Sequence, residues 1–217
     1  TVRVAQTLGV ETVTTISGSP LAGFLSTPLS QSELEEAMEI VVHRWQPVFD
    51  LCRSSGSRLA FEVQPGQSTH DLASAELFQR SLNDQEEIGF TFNAANLFWQ
   101  GLDPVEFLQS FSSRIFHVRI QDVSLNLNGQ RSLLCGHLPE SDSRRGWEPR
   151  CPGHGGVDWE NVIRALNTID YQGPFSIEWA DAGMDRDFGA EEALRFVQRL
   201  DFEPAQNFHD DQPFHEA

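Results

Sequence analysis

The stretch GFTFNAANLFWQGLDPVEFLQSFSSRIFHVRIQD, residues 89–122, decides the fold. It opens with a strand, GFTFN at 89–93, and closes with another, IFHVRI at 115–120. Between them Pro104 sits in a first helical turn, with Asp103 available as its cap. Strand, helix and strand in so short a unit imply parallel strands joined by a crossover helix. Both strands also run into polar residues: Asn93 and Asn96 follow the first, Arg119 and Asp122 the second.

The same unit repeats outward in both directions. RLAFEV at 58–63 is a strand stopped by Pro65 and Gly66, and a helix follows over about 71–82. Upstream, LGVETVTTISGSP carries a strand over 10–16 and then a Gly-Ser-Pro loop. A helix starts near Ser30 or Ser32, where Glu33, Glu35 and Glu36 suit its positive end. Leu34, Ala37, Met38, Val41, Trp45, Val48 and Phe49 recur at three and four residues along it, and Pro47 predicts a kink in its last turn. Downstream, the polar passage 123–156 reads as a surface excursion. VDWENVIRALNTI is then a helix with Asp158 near its start, GPFSIEW the last strand and GAEEALRFVQRL the last helix. The tail, 201–217, has no period and is expected to be irregular. Five strands suit an open sheet, and equally the last five of an eight-stranded barrel.

A chain of 217 residues supports one domain with a sizeable core. Its formal charge of −17 disfavours a broad grip on nucleic acid or on an anionic membrane. Cys52, Cys135 and Cys151 are too widely spaced for a metal knuckle, and reduced thiols are expected. No apolar run is long enough for a membrane span, and TVRVAQTLGV lacks the pattern of a secretory signal, so a soluble cytoplasmic protein is expected. The first residue is not Met, which predicts a processed or incomplete chain.

In barrels and doubly wound sheets the site lies at the C-terminal ends of the strands. That rule brings forward Glu62, Asn93 with Asn96, Arg119 with Asp122, and Glu178 with Asp181. Glu62 and Glu178 stand in apolar strands, where a lone carboxylate is expensive to bury. A divalent metal, a buried Arg or a network of substrate hydroxyls would each compensate them. Arg119 brings its own positive charge and five donors in a rigid fork. Beside it a hard dication meets like charge, and Asn93 offers only a neutral oxygen, so manganese or magnesium is disfavoured. His117 shares a face with Arg119, where it either contacts substrate or is a hydrogen-bonded core imidazole. Phe98 and Trp99 either wall a pocket for the apolar side of a sugar or pack a loop on a helix. CPGHGG, around His154, lacks the spacing and terminal Lys of a phosphate loop and reads as a surface turn.

Taken together, NAANLFWQGLDPVEF, IFHVRIQD, RCPGHGGVDWENVIRAL and YQGPFSIEWAD resemble, in order and interval, the later units of the sugar-phosphate isomerase and epimerase family, the xylose-isomerase-like barrels. LGVETVTTISG resembles its fourth strand and LAFEVQP its fifth. The resemblance runs from about residue 8 to 200 and implies a TIM-barrel-like (β/α) fold without the first three strand-helix units, a single domain over 1–200. Open strand edges would then need cover from a homo-oligomer, a second chain, domain exchange or further residues.

The family's activity is interconversion or epimerisation of small carbohydrates. Two Glu move the proton, beside a metal held by Glu, Asp, His and Glu. Carried onto this sequence, Glu62 and Glu178 are the catalytic pair, Asn93 stands at the Asp position and Arg119 at the metal-binding His. Asn96 stands at a substrate-facing His, Gln64 at a polar residue, Gln121 at a Lys, while Asp122 and Arg150 match residues the family keeps. The resemblance therefore implies a carbohydrate ligand met by Asn93, Asn96, Arg119, Asp122 and Arg150, to which the residue pattern adds Trp99 and His117 as expected contacts. Two outcomes stay open: an isomerase or epimerase with a degenerate metal centre, or a non-catalytic binding or structural homologue in which Arg119 neutralises Glu62 and Glu178. Metal-dependent nucleic-acid repair on the same barrel needs several His and acidic ligands that the chain lacks.

Overall fold

Alternation along each strand sorts the sheet into an apolar face and a polar face. The computed structural model describes residues 1–20, 28–140, 142–200 and 202. Among them β1 (Thr12–Thr15), β2 (Arg58–Glu62), β3 (Ile88–Asn93), β4 (Ile115–Ile120) and β7 (Phe175–Ile177) form one sheet in the order β1-β2-β3-β4-β7. Every pairing is parallel, as the short repeating units require. The result is a half-closed TIM-barrel-like sheet with five of the eight strands of a full barrel, and β1 and β7 each have one strand neighbour among the described residues.

The helices cover the outer, apolar face. α2 (Gln31–Ser55) is capped by Ser30, which accepts from the Glu33 amide while the Glu33 carboxylate accepts from the Ser30 amide. It runs past Pro47 and ends only at Gly56, whose φ of +67° is the left-handed stop that glycine suits. α3 (Leu72–Ser81), α5 (Pro104–Ser110) and α6 (Trp159–Thr168) start on Asp71, Asp103 and Asp158, each accepting a first-turn amide. Rings from these helices mesh with rings from the strands. Trp45 meets Phe61 edge-on at 4.9 Å, Phe61 meets Phe78 at 5.3 Å, and Phe90 meets Phe107 at 5.7 Å. Each such pair is worth about 1 kcal/mol beyond its buried area, so this aromatic ladder fixes which strand face turns outward.

With Phe61, Phe90 and Phe92 pointing to the helices, the pleat sends Glu62, Thr91 and Asn93 to the inner face. In register beside them stand His117 opposite Thr91 and Arg119 opposite Asn93, and then Ser176 opposite Arg119. The inner face thus carries the polar set, along a trough of about 840 Å³ lined in part by Thr12, Thr14, His117, Arg119 and Ser176.

Two local expectations change, and one element is added. The added element is a helix over the opening residues, α1 (Val2–Thr7). The excursion after β4 is not all loop: β5 (Asp122–Leu125) and β6 (Trp147–Arg150) pair antiparallel, and Cys135, Arg145 and Cys151 are buried in or beside it. The last helix, α7 (Arg186–Leu200), begins before Gly189. The expected irregular tail at 201–217 lies, apart from Phe202, outside the described residues. No described helix is long and apolar enough to cross a membrane.

Candidate functional site

Three strand ends bring Glu62, Arg119 and Glu178 together. Glu62 is the last residue of β2, Arg119 the penultimate residue of β4, and Glu178 follows β7 directly, its amide still donating to the Ile120 carbonyl at 2.9 Å. Arg119 Nη1 lies 2.8 Å from Glu62 Oε2 and 2.8 Å from Glu178 Oε2, with hydrogen-bond geometry to the latter. Accessibility grades across the bridge: the side chain of Glu62 is 8% exposed, Arg119 27% and Glu178 43%. Glu62 is the costly carboxylate, and Arg119 offsets it.

The other oxygen of Glu62 is also engaged. Oε1 accepts from Asn93 Nδ2 at 3.0 Å and Asn96 Nδ2 at 3.1 Å. Asn93 caps α4 (Ala94–Phe98) through Oδ1, which accepts the Ala95 amide at 3.1 Å. Its amide nitrogen therefore faces Glu62 and also donates to Gln121 Oε1 at 2.9 Å. Asn93 is 1% exposed, so its contacts are internal. Below the bridge His117 Nε2 shares a hydrogen bond of 2.7 Å with Ser176 Oγ. Burial first, and the Arg119 charge second, hold the His117 imidazole below its ordinary pKa.

The remaining expected site residues are drawn into other work. Asp122, buried at the start of β5, accepts from the Val123 amide at 2.8 Å, the Gly153 amide at 2.9 Å, the Val157 amide at 3.2 Å and Trp159 Nε1 at 3.2 Å. It ties down the CPGHGG turn. Asp181 grips the same segment through the Cys151 amide at 3.1 Å. Arg150 pairs with Glu148 at 2.8 Å and with Asp181 at 3.5 Å. Trp99 stacks on Trp147 at 4.8 Å, and the Arg145 guanidinium lies over the Trp147 ring at 4.6 Å. The strand-end rule gathers Glu62, Asn93, Asn96, Arg119 and Glu178 in one network. The strand-end rule points to Asp181 but not to its role as an anchor, and the pairing of Trp99 with Trp147 joins residues too far apart in sequence for spacing to signal.

Residues 1–200 match the xylose isomerase-like TIM barrel family. The chain belongs to that family. A curated relative, an inosose dehydratase of Clostridium botulinum, is 23% identical over 169 residues, covering 74% of this chain and 54% of its own length. The chain thus spans about half the length of the curated relatives it matches. Among solved structures, a 3-keto-D-glucoside 4-epimerase from E. coli superposes with a TM-score of 0.67 at 15% identity, covering 91% of this chain and 67% of that one. A family protein from Mycobacterium smegmatis in complex with magnesium gives 0.63 at 17% identity, covering 92% and 64%. These likenesses show the fold.

Members of the family that hold a dication need a converging set of anionic or imidazole donors. The donor set here does not fit one. Among the described residues no group of three or more His, Cys, Asp or Glu is placed to hold a metal ion. Arg119, a cation without lone pairs to give, bridges the two carboxylates that would have to converge.

Proposed function

We propose that this chain is a non-catalytic binding homologue of the sugar isomerases and epimerases, in which Arg119 neutralises Glu62 and Glu178. The observation that carries the reading is the double 2.8 Å contact of Arg119 Nη1. A general base must have an oxygen free to reach a substrate proton. Both oxygens of Glu62 already face donors, three in all, and a substrate proton would have to compete with them. The ligand class is a small carbohydrate, akin to the inosose and keto-D-glucoside of the relatives' names. It would meet the exposed part of Glu178, Asn96 and Arg119 at the strand ends, where hydroxyls replace water at groups that are already charge-balanced.

The exposure of Glu178 favours a second reading, a metal-free epimerase in which Glu178 alone moves a proton and Arg119 steadies an oxyanion. Proton exchange decides between them. The protein is incubated with ketose sugars in heavy water, with and without manganese, and deuterium at carbon is read by mass spectrometry. The expected result is no enzyme-dependent incorporation in either arm, with carbohydrate binding seen by calorimetry. Incorporation that Glu178→Gln abolishes would overturn the binding reading, as would one tightly held metal ion per chain by elemental analysis.

A further inference from the structure

We infer that Asn93 and Arg119 act as a coupled pair that turns the space between Glu62 and Glu178 into a guanidinium site, with Arg119 as its tethered occupant. The inference rests on the proposed reading and goes beyond it by assigning the site's cation preference to two named residues. Arg119 reaches both carboxylates through one nitrogen, at hydrogen-bond rather than metal-oxygen distance. Asn93 sets the second half of the preference. Its Oδ1 is committed to the Ala95 amide, so Nδ2 is turned to Glu62 Oε1 and Gln121 Oε1. The Glu62 carboxylate is thereby held by amide donors on one oxygen and a guanidinium on the other.

A carboxylate at position 93 could still cap α4 with one oxygen, and Gln121 could turn its amide to donate to the other, but that other oxygen would still face the Glu62 carboxylate. That arrangement repels unless a cation of higher charge enters. Asn93 removes the need for such an ion, and Arg119 fills the place with a single charge. Without Arg119, Glu62 would be left nearly buried with only neutral donors, a state that draws in any cation of matching shape.

Chemical rescue tests this on the full chain. Arg119→Ala is expected to lower Tm by roughly 5 °C for a chain of this size, the partial exposure of Arg119 and Glu178 limiting the loss. Methylguanidinium chloride at millimolar concentration is expected to restore at least half of that fall, while sodium chloride of equal ionic strength and manganese chloride do not. Adding Asn93→Asp to Arg119→Ala is expected to reverse the order, manganese then giving the larger recovery. An unchanged Tm in Arg119→Ala, equal recovery by sodium chloride, or no reversal in the double variant would each overturn the coupling. Should Arg119→Ala not fold, Arg119→Lys keeps the charge without the fork, and a Tm equal to that of the unchanged protein would overturn the guanidinium preference. These readouts are thermal, so they stand or fall apart from the proton-exchange result.

Discussion

Two buried carboxylates, Glu62 at the end of β2 and Asp122 just past the end of β4, are satisfied in opposite ways. Asp122 is held by three backbone amides and an indole N–H. Glu62 is held by two side-chain amides and a guanidinium. Backbone donors are fixed by the path of the chain, so the Asp122 cradle depends on the loop keeping its shape. Gly155 shows how closely the loop fits, because a Cβ there would run into Asp122 Oδ1. Side-chain donors can be exchanged one substitution at a time without moving the backbone. The scaffold part of the site is therefore rigid, while the chemical part is open to change.

The sharpest way to break that comparison is to remove Asp122. Asp122→Ala leaves up to four donors without their acceptor, each costing about 1–3 kcal/mol where water cannot enter, so a loss of about 4 kcal/mol or more is expected. Urea unfolding measures it, and amide exchange should show Gly153 and Val157 opening first. A loss below about 1 kcal/mol would mean that the cradle is not what fixes the loop. Glu62→Gln should cost less, about 1–2 kcal/mol, because the amide keeps one acceptor for Asn93 and Asn96 while Arg119 keeps Glu178. Equal losses in the two variants would erase the distinction between backbone and side-chain satisfaction.

The same distinction explains what could be read in the sequence. Helix starts were legible because Ser30, Asp71, Asp103 and Asp158 are short-range signals, each bonding within the next three residues. Strand ends were legible because Val-Ile-Phe runs stop on polar residues, which placed Glu62, Asn93, Arg119 and Glu178 together. The two-stranded excursion was not legible: β5 and β6 are paired across a passage of polar residues, and Arg145 is buried there by accepting carbonyls and the Trp147 ring rather than by an apolar pattern. Nor could spacing say that Asp122 turns away from the bridge, since its partners lie some thirty residues downstream. Long-range hydrogen bonds leave no periodicity behind them.

The smallest effect concerns how far the Arg119 charge reaches along the inner face. The His117 pKa is lowered mainly by burial and secondarily by Arg119 on its own strand, and Ser176 of β7 is its hydrogen-bond partner. Its folded pKa lies below the unfolded value of about 6.5, so the unfolded chain takes up the proton first as pH falls. The His117 contribution to stability is then fully present above about pH 6.5 and is lost as pH falls through the folded pKa. Against His117→Gln, which is neutral throughout, the unchanged protein should lose more stability between about pH 7.5 and pH 5, read from urea unfolding at each pH. Arg119→Met removes the secondary cause only, so NMR titration should find the His117 pKa moved up towards the ordinary value while still depressed by burial. If it does not move, the two carboxylates screen the guanidinium completely, and the bridge is electrically closed to everything below it.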